Sequence, residues 1–331
     1  MPRCRIYLFT YNRNGLLPRA IESLLNQTFT DWVCELHNDM PGNVFPAEYI
    51  AVLNDSRFLV IDHEKNLGAI KSFNLAFEKC GEDFISILED DNWWEPDFLE
   101  KMIAVLDTRP AVQLAWCNMR LHKELPGNNW EDTGKTTWEQ DPLLAIKTFD
   151  FPKPKQAFSY LHSIGAMLVR NVDLQKLQIP VDVRLDFIEP IRERAFSHPI
   201  VLVNEPLANF AITISTNRAA GNEGVHEHYY LLLASFFQYA ANDEALIKGV
   251  WAEVRKSTVR STHNLLLAGL LDSNCRGLLK YAGFADWLFF FAYNVRYPKV
   301  VGSCRRAKTT YAALWQYLKE NTALRFETRP N

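Results

Sequence analysis

Residues 85–97 read Ile-Ser-Ile-Leu-Glu-Asp-Asp-Asn-Trp-Trp-Glu-Pro-Asp. An apolar run through Phe84, Ile85, Ile87 and Leu88 stops at three consecutive acids, Glu89, Asp90 and Asp91. A short apolar run bounded by turn residues fits a strand buried on both faces of a parallel sheet. Open α/β sheets bind ligands at the carboxyl ends of such strands. Acids crowded there repel one another unless a cation sits among them. Oxygen ligands of this kind suit Mg2+ or Mn2+, which bridge a carboxylate to substrate phosphates. The plainer alternative is a helix start, with Asp91 or Asn92 capping a helix that begins near Pro96. Capping needs one such residue, not three acids directly behind a buried strand, so the metal-diphosphate reading is preferred.

Around this stretch the chain alternates strand and helix patterns. Strands are predicted over 5–9, 32–36, 57–61 and 111–118. Leu16, Leu17, Ala20, Ile21, Leu24 and Leu25 form a 3.6-period stripe, with Pro18 in the first turn where a missing amide does least harm. Further helices are predicted over 69–79 and 97–106. This alternation argues for βαβ units with helices on both faces of a parallel sheet. Residues 120–158, rich in Pro, Gly, Lys and Trp, are predicted to be an irregular functional loop. A strand over 164–169, a charged helix near 185–196 and strands near 199–203 and 207–214 close the module. Beyond about residue 220 the pattern is helical, clearest over 229–239 and 251–271.

The 331 residues, 48% of them hydrophobic and 23% charged, are enough for one large or two modest folded domains. The formal net charge of −3 hides an asymmetry: residues 251–331 carry 13 Lys and Arg against 5 Asp and Glu. An acidic front and a basic tail suggest two modules with different partners. The six cysteines form no Cys-x-x-Cys pair and read as reduced core thiols of a cytoplasmic protein. No apolar leader and no run of roughly 18 apolar residues is visible, so neither a secretory signal nor a membrane span is predicted. No Gly-x-Gly-x-x-Gly or Walker lysine motif follows the first strand, which disfavours a dehydrogenase or a P-loop NTPase.

Five motifs stand in order over the first hundred residues. They are Thr10-Tyr11-Asn12-Arg13 followed by residues 20–28, Asn38-Asp39, Asn66-Leu67-Gly68, Phe73-Asn74, and residues 88–94. Their order and spacing resemble the opening of family 2 glycosyltransferases with the GT-A fold, and a fainter similarity extends to about residue 215. The resemblance implies an α/β, Rossmann-like, mostly parallel sheet over 1–220, with a nucleotide-sugar half (1–118) and an acceptor half (119–220). A helical, basic region (221–331) follows. It implies a metal-dependent, inverting transfer of a hexosyl or N-acetylhexosaminyl group from a nucleoside-diphosphate sugar, UDP-linked by expectation, to a hydroxyl of a glycan or lipid-linked acceptor. Cell-surface polysaccharide synthesis is the setting it suggests. The alternative is a catalytically weak nucleotide-sugar-binding or scaffold protein of the same fold.

The same resemblance assigns roles. Thr10, Tyr11, Asn12 and Arg13 would line the nucleotide pocket, with Asn66, Gly68, Lys71 and Asn74 close to the donor. Asp39 would meet the nucleobase; an ionised carboxylate only accepts, so it can select a ring N–H such as that of uracil. A turn role before Met40-Pro41-Gly42 is its alternative, and an ordinary strand-to-helix turn is that of Asn66 and Gly68. Glu89 and Asp90 would contact the donor, and Asp91 would ligate Mn2+ or Mg2+, with Glu89 or His226 as further candidate ligands. Asp186, in the segment 184–192, matches the catalytic base, with Glu189 in reserve; a helix cap or first-turn acid is the alternative. Glu89 for Asp, Asn92 for Asp and Leu185 for Glu depart from the family pattern. His226 and His228 also read as solvated residues of a helix start.

In the tail, Trp287, Phe289, Phe290, Phe291 and Tyr293 crowd between Lys280 and Arg296, Lys299, Arg305, Arg306 and Lys308. Such basic-aromatic helices can lie on an anionic membrane surface. Peripheral contact through 276–331 at the inner membrane face is therefore one expectation, and helical packing or a homo-oligomer contact is the other. No nucleic-acid partner is expected, since no recognised module accompanies the charge.

Overall fold

The structure, a computed structural model, describes residues 2–127, 129–140, 144–214, 223–256 and 262–328. Two compact units emerge. The first comprises Met1–Phe149, Leu161–Gln178 and Phe196–Asn217; the second comprises Asp150–Tyr160, Ile179–Ala195 and Arg218–Asn331. The segments 150–160 and 179–195, expected within a module over 1–220, thus fold with the helical tail.

The first unit is built on one sheet whose opening strands are β1 (Cys4–Thr10), β2 (Trp32–Asn38), β3 (Phe58–Asp62) and β4 (Phe84–Glu89). These lie in the order β3-β2-β1-β4, all parallel. Strand side chains alternate faces. Cys4, Ile6 and Leu8 join the core formed with Leu17, Ala20, Ile21 and Leu24 of α1 (Leu17–Leu25). On the other face, Tyr7 and Phe9 stack on His37, and Phe9 meets Phe73 of a later helix. A short helix that the sequence reading did not anticipate, α2 (Phe45–Leu53), precedes β3. Phe73 belongs to α3 (Ala69–Leu75), which is shorter than predicted. Beyond the acidic stretch lie the two-residue β5 (Trp93–Trp94) and α4 (Phe98–Asp107). Gln27, at the end of α1, donates to Ser23 and Glu95 carbonyls and accepts from the Leu99 amide. It thereby fixes where α4 leaves the acidic corner.

The remaining strands are β6 (Leu114–Leu125), β7 (Asn129–Thr136), β8 (Ile146–Phe149), β9 (Met167–Arg170) and β10 (Ile200–Ile212). The sheet continues β4-β9-β6-β10-β5, with β7 on β6 and β8 on β10. Only β6 and β10 pair in parallel here. Residues 120–158 are therefore not an irregular loop. Leu125 pairs with Asn129 across a connection containing Gly127 at φ 81. The paired stretches 120–125 and 129–136 are mostly polar, so no alternation betrayed them, although Pro126-Gly127 was a readable turn signal. The two strands expected near 199–214 are one, β10, whose register shifts on either side of Pro206. Proline removes a ladder donor, and it is tolerated at such a bulge.

In the second unit, the expected helix near 185–196 is a 3-10 turn (Leu185–Phe187) followed by α5 (Ile188–Glu193). The helices α6 (Val225–Ala240), α7 (Glu244–Lys256), α8 (Thr262–Leu271), α9 (Phe284–Arg296), α10 (Lys299–Thr310) and α11 (Ala312–Glu327) follow. The run 251–271 is thus two helices, with 257–261 outside the described residues. Three chain segments are tied together by buried charge. Glu193 accepts from the Ser159 hydroxyl at 2.6 Å and the Tyr160 amide at 2.7 Å. Arg194 donates to Ala157 and Leu232 carbonyls, and burial lowers its guanidinium to about 10.

His263 stacks on Phe290 and accepts from the Asn294 side-chain amide. Burial, then the neighbouring His226, pushes it down from 6.5 to about 4. Between those values the unfolded chain takes up a proton that the folded unit refuses. The stability contributed by neutral His263 is therefore present above 6.5 and lost as pH falls towards about 4. His263→Gln keeps an acceptor for Asn294 but cannot titrate. Urea unfolding of the helical unit over this range should show a flatter pH dependence in that variant.

Candidate functional site

Because β1 to β4 run parallel, their carboxyl ends share one edge. The register sets Thr10 opposite Asn38, Asn38 opposite Asp62, and Phe9 opposite Glu89. The chain leaves β1 towards β2 and β3 on one side while β4 flanks it on the other, which makes the β1–β4 gap a topological switch point. Asp90 lies there, 4% exposed. It accepts from the Thr10 hydroxyl at 2.8 Å and the Tyr11 amide at 3.3 Å. Burial first, and the charge of Asp91 second, push its carboxyl from 3.8 up to about 7. Arg13 donates to Asp90 at 3.3 Å and to Asp91, so one guanidinium bridges both acids. The side chain of Asp91 is 15% exposed. Tyr11 and Asn12 are exposed, and Asn12 turns the chain at φ 54.

Asp39 organises the second wall. Its carboxylate accepts from the Leu67 amide at 2.7 Å, the Gly68 amide at 3.1 Å and the Ser72 hydroxyl at 3.3 Å, and it lies 3.0 Å from His63 Nδ1. Four partners match a carboxylate's acceptor capacity of about four lone-pair sites. Asp39, expected to read a nucleobase, thus holds the loop carrying Asn66 and Gly68. Gly68 sits at φ 78, a conformation strained for any residue with a Cβ. Asn66 and Lys71 are exposed, and Asn74 is half-buried on α3. Behind Asp39 runs a polar file: His63 Nε2 lies 3.0 Å from His37 Nδ1, and His37 Nε2 lies 3.3 Å from Glu35. Asn14 and Asn43 exchange side-chain bonds, and Asn38 donates to Asn43 and Asp62, joining the loops after β1 and β2. None of these was singled out as a site residue from sequence. Asn14, Asn43 and His63 follow strand ends, and Asn38 stood in a quoted motif, whereas Glu35 and His37 lie within β2 and carry no such signal.

Glu89 accepts from the Asn92 side chain at 2.7 Å, and Asn92 in turn accepts from the Ala211 amide. The family departures at 89 and 92 therefore form one bonded pair. Gly165 packs beside it; a Cβ there would lie 3.3 Å from Glu89 Oε2. On the other side of Asp91, Arg19 donates to its carbonyl at 2.8 Å. The Arg19 guanidinium carbon lies 3.8 Å from the Trp93 ring centre and 3.9 Å from that of Trp130. Burial lowers Arg19 to about 10. Trp130, on the unanticipated β7, was missed.

The remaining candidates belong to the second unit. Asp186 is 44% exposed and paired with Arg184 at 2.8 Å; it does not cap the turn, whose N-cap is Arg184. Glu189 lies one residue into α5 and is half-buried. His226 has Nδ1 2.7 Å from Asn264 and Nε2 2.8 Å from the Tyr293 hydroxyl. Both ring nitrogens serve helix packing, which leaves none for a cation. His228 is buried, not solvated, and bonds the Gly224 carbonyl and the Arg184 amide.

Among the described residues no group of three or more His, Cys, Asp or Glu could hold a metal ion. The donor set instead fits the mode in which one carboxylate, water and substrate phosphates complete the shell of Mg2+ or Mn2+. Asp91 offers the partly exposed hard oxygens, and Arg13 supplies the positive charge that the acid pair demands.

Residues 6–165 match the sequence model of the family described as Glycosyl transferase family 2. This segment is a family 2 glycosyltransferase domain. EpsH of Bacillus subtilis, provisionally named a glycosyltransferase, is 27% identical over 65% of this chain and 62% of its own length. WcaA of Escherichia coli, provisionally named a glycosyl transferase of colanic acid biosynthesis, is 32% identical over 31% of this chain and 37% of its own. The chain thus spans under two thirds of these relatives. TarS of S. aureus, in complex with UDP, shares the fold at a TM-score of 0.58 and 13% identity, covering 94% of this chain and 91% of that one. Its complex with UDP-GlcNAc gives 0.54 and 11%, covering 99% and 92%. The glycosyltransferase domain therefore has the expected α/β architecture with a central open sheet.

In this transferase domain, Asp39→Asn would turn an amide donor towards groups that are themselves donors. The first unit should lose about 2 kcal/mol of stability. Hydrogen exchange at the Leu67 and Gly68 amides should accelerate, with little change at β1; mass-spectrometric exchange would read both.

Proposed function

We propose that the chain transfers a sugar from a UDP-linked donor to a hydroxyl of a glycan or lipid-linked acceptor, with a divalent cation and with inversion. The observation that carries this reading is the edge formed by Thr10, Arg13, Asp90 and Asp91 at the switch point, within a family 2 domain. Uridine is favoured because TarS, of the same fold, holds UDP and UDP-GlcNAc; an N-acetylhexosaminyl or hexosyl group is the class proposed. WcaA's name supports polysaccharide synthesis as the setting.

In the reaction the acceptor hydroxyl attacks the anomeric carbon as the bond from that carbon to the diphosphate oxygen breaks. One displacement inverts that centre. When bound, Mn2+ or Mg2+ would neutralise charge developing on the leaving diphosphate, and Asp91 would hold it. Arg13, released from the acid pair, then offers its donors to phosphate oxygens. Asp39 contributes by shaping the 66–68 loop, with Asn66 and Gly68 beside the donor. Asp186 is proposed as the carboxylate that takes the acceptor proton, with Glu189 in reserve; its exposure keeps it accessible to an acceptor.

Thermal unfolding with UDP, GDP or TDP, with and without Mn2+, tests the donor half, since a ligand of the native state raises the midpoint. UDP with Mn2+ should give the largest rise, and Asp91→Ala should lose the manganese-dependent part. Asp186→Ala should keep that rise and lose roughly a hundredfold or more in sugar transfer. No shift with any of the three nucleotides would refute the assignment. A shift without turnover of any UDP-sugar would favour a binding protein.

A further inference from the structure

The helix α9 docks by one face only. Phe290 is buried against His263, Tyr293 meets His226 and His263, and Asn294 bonds His263. The opposite face is solvent-exposed and wholly apolar: Phe284, Ala285, Leu288, Phe291, Ala292 and Val295. At about 100° per residue these six fall within an arc of roughly 120°, the width of a stripe that ordinarily faces a core. Here the large members are 85%, 61%, 60% and 83% exposed at Phe284, Leu288, Phe291 and Val295. Contiguous exposed apolar surface of this kind marks an interaction face.

The charges around the stripe select its partner. Between Arg276 and Lys319 the chain carries eight basic residues and one acid, Asp286. That acid is taken up by the helix start, where it accepts from the Gly283 amide, and by Arg255. Arg276 and Lys280 lie exposed before the stripe, and Arg296, Lys299, Arg305 and Arg306 lie exposed after it. A second copy docked stripe to stripe would bring basic margins against basic margins, because a two-fold interface presents the same patch from both sides. An anionic lipid surface offers hydrocarbon for the stripe and negative charge for its margins. No described helix is long and apolar enough to cross a membrane, so the contact is one lying in the interface plane.

We propose that the exposed face of α9 seats the protein on an anionic bilayer, with Phe284, Leu288, Phe291 and Val295 in the acyl boundary and Arg296 and Lys299 at the headgroups. This deepens the transferase reading only in its purpose, by holding the enzyme where a lipid-linked acceptor resides. The contact itself needs neither donor nor acceptor.

Flotation of the full chain with vesicles is the test. The protein should float with mixed phosphatidylcholine and phosphatidylglycerol vesicles and stay behind with phosphatidylcholine alone. High salt should release it, since surface charges are screened within about a Debye length. The double variant L288S/F291S should bind the anionic vesicles at least roughly tenfold more weakly, and K299E should also weaken binding, with the folded circular dichroism spectrum and UDP-dependent thermal shift retained. Failure of the parent to float, or equal flotation of L288S/F291S, overturns the proposal. So does a concentration-dependent dimer that L288S/F291S converts to monomer, which would make the stripe a contact between copies. Because flotation is read without substrate, failure here leaves the transferase reading untouched, and absence of a nucleotide shift leaves this one untouched.

Discussion

Everything at the candidate site depends on the parallel register of β1 between β2 and β4. That pairing sets Phe9 opposite Glu89 and Thr10 opposite Asn38, so the chain must emerge from three strands at one edge. Asp90 is then forced into the gap with almost no water. Its carboxyl can be kept there only because Thr10, the Tyr11 amide and Arg13 supply donors. A buried acid is costly to keep without such partners.

The charge arrangement has a further consequence. Arg13 bridges Asp90 and Asp91, while Arg19 is stacked between Trp93 and Trp130 and bonds the Asp91 carbonyl. Two guanidinium groups therefore balance the acidic corner before any ligand arrives. One is held mainly by carboxylates, which phosphate oxygens can replace. The other is held by indole faces, which phosphate cannot. The two arginines are thus held by different forces, Arg13 by paired carboxylates and Arg19 by ring faces and a carbonyl.

Asp39 shows how one side chain can shape a loop as well as stand at a strand end. The family resemblance made it a candidate for contacting a base. Its actual donors come from Leu67, Gly68 and Ser72, far off in sequence. The carboxylate is a keystone for the 66–68 loop, and His63 and His37 extend that support inward.

Patterns that repeat locally were readable in the chain alone. The apolar run into Glu89-Asp90-Asp91, the α1 stripe and the strand-end motifs determined a parallel α/β core with an acidic tip, because periodicity and burial are coupled residue by residue. The aromatic-basic tail likewise announced an amphipathic helix. Tertiary structure alone decided the rest. The β6–β7 hairpin carries polar residues that become strand only through pairing, so Trp130 reaches Arg19 by a route no spacing encodes. Segments 150–160 and 179–195 join the helical unit because Glu193 and Arg194 find their partners there. Which face of α9 is buried was settled by His226 and His263 on other helices, since Phe284, Trp287, Leu288, Phe290 and Phe291 place large apolar groups on more than one side of it.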